Sequence, residues 1–268
     1  MGMRAKGWLT VMLAAAMAPA LADEGPIRGG TEKFKLNLGT IFDQTDTTLR
    51  IQGPQGRGLQ FGLEGVTGVE RDRWTLLASG SWRFAPNHRV GFQSFSTRRQ
   101  NSKVIDQELV IKDEVIPVGT NLQTTTKTDF LIANYQYSLL RDERVELAAM
   151  AGVYGARFRF SFDSTNPPRD ISANSTAPLP MLGISLDTFI TPRWTFSAFF
   201  EGLILKLGDV DGKIAYIGLS TDYMVTRHLG LGVGINSVNV GADVTQNDFR
   251  GSFDWRSNSF FAYGQLRF

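Results

Sequence analysis

The final nine residues, FFAYGQLRF at 260 to 268, alternate in character up to the last side chain. Phe260, Ala262, Gly264, Leu266 and Phe268 share one parity, while Phe261, Tyr263, Gln265 and Arg267 share the other. Side chains repeat with period two only in an extended strand, so the two faces of this one meet different surroundings. Terminal residues without contacts lose more entropy on ordering than they regain. A chain that keeps the pattern to its end therefore predicts a last strand that is paired.

The same period recurs through most of the sequence, and no stretch has the 3.6-residue period of an amphipathic helix. In KFKLNLGTIF, Phe34, Leu36, Leu38 and Phe42 oppose Lys35, Asn37 and Gly39. In RWTLLASGSWRF, Trp74, Leu76, Ala78, Gly80, Trp82 and Phe84 oppose Arg73, Thr75, Ser79, Ser81 and Arg83. VELAAMAGVYG sets Val145, Leu147, Ala149, Ala151 and Val153 against Glu146, Gly152 and Tyr154, with Met150 blurring the polar side, and WTFSAFFEG sets Trp194, Phe196, Ala198 and Phe200 against Thr195, Ser197 and Glu201, with Phe199 as an exception. LGLGVGINS is the sharpest case, with Leu229, Leu231, Val233 and Ile235 facing away from Gly230, Gly232, Gly234 and Asn236.

Short polar links at 85–89, 140–144, 190–194 and 225–229 alternate with longer polar stretches at 43–71, 99–126, 163–176, 207–212 and 241–251. Four short turns and five longer connections join ten strands, with both termini at the short-turn end; eight strands result if two weak segments, such as 88–98 and 122–138, are read differently. The first long connection can itself hold a hairpin around Gly53 to Gly58.

Alternation does not say which face points inward, since a soluble barrel buries its apolar face and a membrane barrel turns it to lipid. Three features decide for the membrane. The second face is rich in Gly, Ser, Asn and charge, Trp and Tyr lie near strand ends, and short turns oppose long loops. The expectation is an all-β fold: a transmembrane antiparallel up-and-down barrel with short periplasmic turns and longer extracellular loops. Lipid offers backbone groups no hydrogen-bond partners, so closure must pair the last strand with the first. Phe260, Ala262, Gly264, Leu266 and Phe268 are the barrel-closing face.

The start of the chain fits export. Arg4 and Lys6 precede an apolar run too short to span a bilayer, and ALA at 20–22 has the small-x-small pattern of signal-peptidase cleavage. This predicts a cleaved signal peptide over residues 1–22 and one barrel domain over 23–268, located in the cell outer membrane. The chain has no cysteine, so no disulfide staples the exported fold, and a net charge of +2 gives no reason to expect a nucleic-acid partner.

TAPLPMLGI at 176–184, WRFAPNHRV at 82–90 and NDFRGSFDWR at 247–256 resemble segments of a proteobacterial outer-membrane barrel family without an established activity. The terminal Phe268 with its alternating apolar residues likewise resembles the C-terminal signature of bacterial outer-membrane barrels. These resemblances imply an outer-membrane barrel, recognised by the barrel-assembly machinery, and carry over no catalytic residue.

Chemistry is sparse on this scaffold. Enzymes of the outer leaflet commonly need a histidine base, yet His88 and His228 fall in or beside short turns at the periplasmic end, in different hairpins. GLGVG lacks dinucleotide-loop spacing, DVDG at 209–212 is an ordinary hairpin turn more readily than a calcium loop, and NST at 174–176 has little meaning in a bacterial barrel. No catalytic residue, metal site or cofactor is expected. The inward parity instead gathers Arg73, Arg83, Glu146, Asp187, Glu201, Asp222 and Arg267, a candidate lumen charge network. Buried charges need partners, so the network either fills a closed interior or lines a constriction for small solutes. The leading expectation is a structural or surface-binding barrel with a polar, largely filled lumen, using loops such as 99–126 and 163–176; a narrow channel is second and a lipid- or peptide-modifying enzyme third. Its expected partners are outer-membrane lipids and lipopolysaccharide, the assembly machinery, and a surface ligand.

Overall fold

The computed structural model describes residues 25–52, 59–111, 114–166, 168–207, 210–246 and 249–268. The expected signal peptide lies outside the described residues. In chain order the elements are β1 (Phe34–Gln52), β2 (Gln60–Gly62), α1 (Leu63–Thr67), β3 (Asp72–Ala85), β4 (His88–Val104), β5 (Leu109–Ile111), β6 (Glu114–Ile116) and β7 (Asn121–Arg141). They continue with β8 (Val145–Thr165), β9 (Pro168–Phe189), β10 (Trp194–Leu207), β11 (Val210–Met224), β12 (Leu229–Gln246) and β13 (Phe249–Arg267). Ten of these strands, all but the short β2, β5 and β6, form a closed antiparallel barrel in which each pairs with its sequence neighbour in the wall.

Closure is made by β1 and β13, paired from Lys35 opposite Arg267 to Gln52 opposite Arg250. The terminal residue joins the ladder, since Phe268 donates its amide to Phe34 O at 2.9 Å and its own carbonyl accepts from the amides of Lys33 (2.7 Å) and Phe34 (3.0 Å). The backbone groups of the first and last strands thus satisfy each other, which removes the sheet edge that lipid would not tolerate.

The faces divide as the alternation predicts, apolar side chains outward, but only over part of each strand. On β12 the outward row runs Leu229, Leu231, Val233, Ile235 and then Ser237, Asn239 and Asp243, while the inward row runs Gly230, Gly232, Gly234, Asn236 and then Val238, Val240 and Ala242. The two faces exchange polarity beyond Ile235. The outward row makes the same step on the neighbouring strands: Ile235 pairs with Phe260 and Ser237 with Asn258, and on β1 the same two β13 residues meet Phe42 and Gln44. On β7 and β8 the step lies between Leu131 opposite Gly155 and Asp129 opposite Arg157.

Below that level the outward rows form an apolar belt, for example Phe34 to Phe42 on β1 and Trp74 to Phe84 on β3. Their lengths match the roughly 9–11 residues that a tilted strand needs to cross a bilayer. Aromatic rings mark both edges. Phe34 stacks on Trp82 (6.0 Å) with Phe84, Tyr137, Trp194 and Tyr223 exposed near the short turns, and Phe42 meets Trp74 (5.1 Å) at the other edge. Above the belt the strands carry on into a collar with a polar outer wall.

This collar changes how the long connections read. Apart from the turn residue Asn166, the described residues of the stretches at 163–176, 207–212 and 241–251 belong to strands β8 to β13, and much of 99–126 belongs to β4 and β7. The first connection is the anticipated hairpin in part, with β2 paired to β1 through Leu49 and Phe61, while Gly53 to Gly58 lie outside the described residues.

Substituting Leu38, exposed in mid-belt on β1, by Arg will cost about 2–4 kcal/mol, whereas Gln44→Arg on the same face in the collar will cost about 1 kcal/mol or less. Urea unfolding from phospholipid vesicles, followed by tryptophan fluorescence, measures both; equal costs would contradict the position of the belt edge.

Candidate functional site

The interior is stacked in layers, beginning at the periplasmic mouth with ion pairs. Arg83 on β3 and Glu146 on β8 are 7% and 1% exposed and form a two-pronged bridge, Arg83 Nη2 donating to Glu146 Oε1 at 3.0 Å and Oε2 at 2.7 Å. Ser138 adds a donor to Glu146 Oε1 at 2.5 Å. Beside them Arg89 Nη2 reaches Asp187 Oδ2 at 3.2 Å while its Nε donates to Gln136 Oε1 (2.8 Å), and Ser197 donates to Asp187 Oδ1 at 2.6 Å. On the opposite wall Arg267 Nη2 bridges Asp222 Oδ2 at 2.8 Å, with Gln265 donating to Asp222 Oδ1 at 2.7 Å and accepting from Arg267 Nε at 2.6 Å.

Of the seven charges anticipated on the inward parity, the structure thus pairs Arg83 with Glu146 and Arg267 with Asp222, and gives Asp187 a partner, Arg89, that had been assigned to a turn. Arg73 stands apart: it is exposed at the outer end of β3, opposite Asp43 in the register, and joins none of these bridges. Glu201 also stands apart, buried at 2% exposure, with the Tyr154 hydroxyl donating to its Oε2.

Residues 25–33 cross beneath this layer. The Ile27 amide donates to Arg227 O (3.1 Å), Arg28 bonds Glu143, Arg141 donates to Gly30 O (2.7 Å), and Gly29 and Gly30 are buried against Phe189. The neighbouring turn is held locally, since Asp142 Oδ1 accepts the amides of Arg144 (2.6 Å) and Val145 (2.9 Å). Those two bonds hold the Asp142 carboxyl below the usual carboxylate range.

Above the ion pairs lies a polar chamber of about 190 Å³ whose walls include Ser79, Gln93, Asn134, Ser185, Glu201 and Tyr263. Its ceiling is an apolar layer of inward side chains, among them Phe130, Tyr154, Phe158, Met181, Tyr216 and Trp255. Phe130 meets Phe158 edge to face at 5.7 Å and Trp255 at 5.4 Å, so rings from distant strands touch across the lumen. At the outer mouth α1 and the β5–β6 hairpin fold inward, and Leu63, Val66, Leu109, Ile111 and Ile116 pack on Leu49, Leu122, Phe162 and Ile171 of the wall. Glu64 of α1 is held inside this cap by Arg99 Nη1 (2.9 Å) and by the Thr47 amide and hydroxyl (2.8 Å each).

The expectation of a polar lumen is therefore corrected in part for its upper half, where an aromatic layer and an aliphatic cap stand among buried polar groups: Asp43 with Ser257 and Ser259, the threonines of β1 and β7, and the Glu64–Arg99 pair. The histidines do lie at the periplasmic end. His88 Nδ1 is 2.5 Å from the Tyr135 hydroxyl, and His228 Nδ1 donates to Arg267 O (2.8 Å) with its ring on Phe268 (5.3 Å). Among the described residues no group of three or more His, Cys, Asp or Glu has the arrangement of a metal site. In GLGVG, a Cβ at Gly232 would sit 2.2 Å from the Tyr263 ring, so the glycine gives way to an aromatic side chain pointing into the lumen.

The architecture is similar to that of solved outer-membrane barrels. The outer membrane protease OmpT from Escherichia coli matches with a TM-score of 0.52 at 11% identity, over 87% of this chain and 97% of that one. OprG from Pseudomonas aeruginosa matches with a TM-score of 0.40 at 11% identity, over 92% and 99%, and Ail of Yersinia pestis with 0.38 at 12% identity, over 88% and 99%. No protein-family model and no curated protein matches the chain. At such identities the likeness is one of fold.

Replacing Glu146 by Leu leaves Arg83 buried without its anion and will destabilise the barrel by about 3–5 kcal/mol, and the double change Arg83→Met, Glu146→Leu will recover most of that loss. Equilibrium urea unfolding of the single and double variants gives the comparison.

Proposed function

We propose that this chain is an integral outer-membrane protein of a Gram-negative envelope that works as a closed, surface-projecting barrel instead of an open pore. The observation that carries this reading is the stack inside the wall: ion pairs with residues 25–33 beneath them, an aromatic layer at mid-height, and an apolar cap at the outer mouth. Three unlike layers each cross the lumen, and a diffusing solute would have to disrupt all of them. The proposal includes removal of residues 1–22 as a signal peptide and a single barrel domain over 23–268. The likeness of TAPLPMLGI, WRFAPNHRV and NDFRGSFDWR to a proteobacterial barrel family of unassigned activity supports the same location.

The binding surface of this scaffold is the outer wall of the collar, in place of the expected loops. Arg98 pairs in register with Lys127 and Lys127 with Arg159, so three cations lie side by side on β4, β7 and β8, with Arg157 next to them and Asp129 as the acid among them. They sit directly above the belt, at the height of lipid headgroups, and favour anionic partners such as the phosphates of lipopolysaccharide. A proteolytic role such as the name of OmpT describes finds less support, because His88 and His228 are at the other end of the barrel.

In planar bilayers the purified, heat-modifiable barrel will show no reproducible unitary conductance. Steady single-channel openings whose size changes in Arg83→Gln would replace this reading by the narrow-channel one.

A further inference from the structure

We infer that the chamber inside the membrane belt is a binding site for a small organic ammonium ion, with Glu201 as its counter-charge. This goes beyond the closed-barrel reading, which assigns the interior no ligand. Glu201 is 2% exposed and lines the chamber; among the described residues its Oε1 has no hydrogen-bond partner, and its other oxygen accepts from the Tyr154 phenol. Among the described residues no ion pair reaches it, although Arg89 and Arg267 in the layer below are each matched to an aspartate. Lys35 also lines the chamber, but from its floor, one residue in from the end of the belt and opposite Arg267 in the register.

A buried carboxyl without a full set of donors either takes up a proton or meets a cation, and such groups in native interiors mark places where an ion or ligand can complete the set. The walls near Glu201 suit a positively charged nitrogen carrying carbon. Tyr216 and Tyr263, both buried, and Phe199 present aromatic rings to the same space, and Phe199 and Tyr216 are fixed edge to face at 4.6 Å. Aromatic faces beside a carboxylate attract ammonium groups through the ring quadrupole as well as through charge. Ser185, whose Oγ has no hydrogen-bond partner among the described residues, stands in the same wall and can accept an N–H from the ligand.

The backbone makes room for this arrangement. Gly183 is directly opposite Glu201 in the β9–β10 ladder, and a Cβ there would come within 2.6 Å of Glu201 Cγ and 2.2 Å of Phe200 O. The glycine lets the glutamate stem lie flat against the wall, which leaves the chamber open beside its carboxylate. At about 190 Å³ the space admits a ligand of a few heavy atoms, not a nucleotide or a sugar chain.

The test uses the full mature barrel refolded in detergent in the presence of ethylammonium chloride, with ethanol as the neutral match, so that entry through the closed ends does not limit binding. Saturation-transfer NMR will show saturable binding of ethylammonium and none of ethanol. Glu201→Gln, which keeps the shape, will weaken ethylammonium by about tenfold or more, while Tyr154→Phe, which keeps the carboxylate, will still bind it. Heat-modifiable gel mobility confirms that each variant has formed its barrel. No saturable binding, equal binding of ethanol, or unchanged binding by Glu201→Gln would each overturn the inference.

Discussion

Inside hydrocarbon a backbone amide or carbonyl has only other backbone groups to bond, and each one left over costs several kcal/mol. The pairing of β1 with β13 answers that demand for the whole molecule, down to the bonds of Phe268 with Lys33 and Phe34. Once the wall is closed, every side chain has a fixed side. Lipid selects the apolar rows Phe34 to Phe42 and Leu229 to Ile235 for the outside, and the polar remainder is forced into a space with little water, where it has to pair with itself. Arg83 with Glu146, Arg89 with Asp187 and Arg267 with Asp222 are the outcome of that confinement.

The same strands outlast the bilayer, and there the solvent argument reverses. Water faces the outer wall of the collar, so Asp129, Arg157 and Arg159 point outward while Phe158 and Phe162 turn in. The upper barrel therefore faces its surroundings as a soluble β-protein does, and the lower one is the reverse, apolar outside and polar within. Rings and aliphatic side chains, with the buried Glu64–Arg99 pair among them, fill the upper lumen, and hydrogen-bonded charges fill the lower one. Between them lies the polar chamber, and in it Glu201 has few partners among the described residues.

Much of this was written in the order of the residues. The closing strand and β12 alternate so cleanly that their direction and their outward rows follow from parity alone, and the four short turns fall where polar links interrupt the pattern. The collar was hidden because its outward row is polar: the stretch at 163–176 has loop composition until Phe162 just before it and Ile171 within it are seen to be buried. The cap escaped for a related reason, since a five-residue helix and two three-residue strands carry too little periodicity to stand out. Arg89 was placed in a turn because it follows His88, although its parity matches Gln93, another inward residue. That Arg83 meets Glu146, 63 positions away, is a fact of barrel curvature that no local spacing encodes. Tyr154 was legible as inward facing, but its role as the partner of Glu201 was not.

The central claim is that outward side chains change from lipid to water at one level of a continuous strand. The chain has no cysteine, so single cysteines at Leu231, Ile235, Asn239 and Asp243 on β12 can each carry a nitroxide label in reconstituted vesicles. Oxygen, which partitions into lipid, should relax the labels at Leu231 and Ile235 most strongly, and a water-soluble nickel chelate those at Asn239 and Asp243. A strand whose four labels all meet the chelate alike, or all meet oxygen alike, would contradict the account.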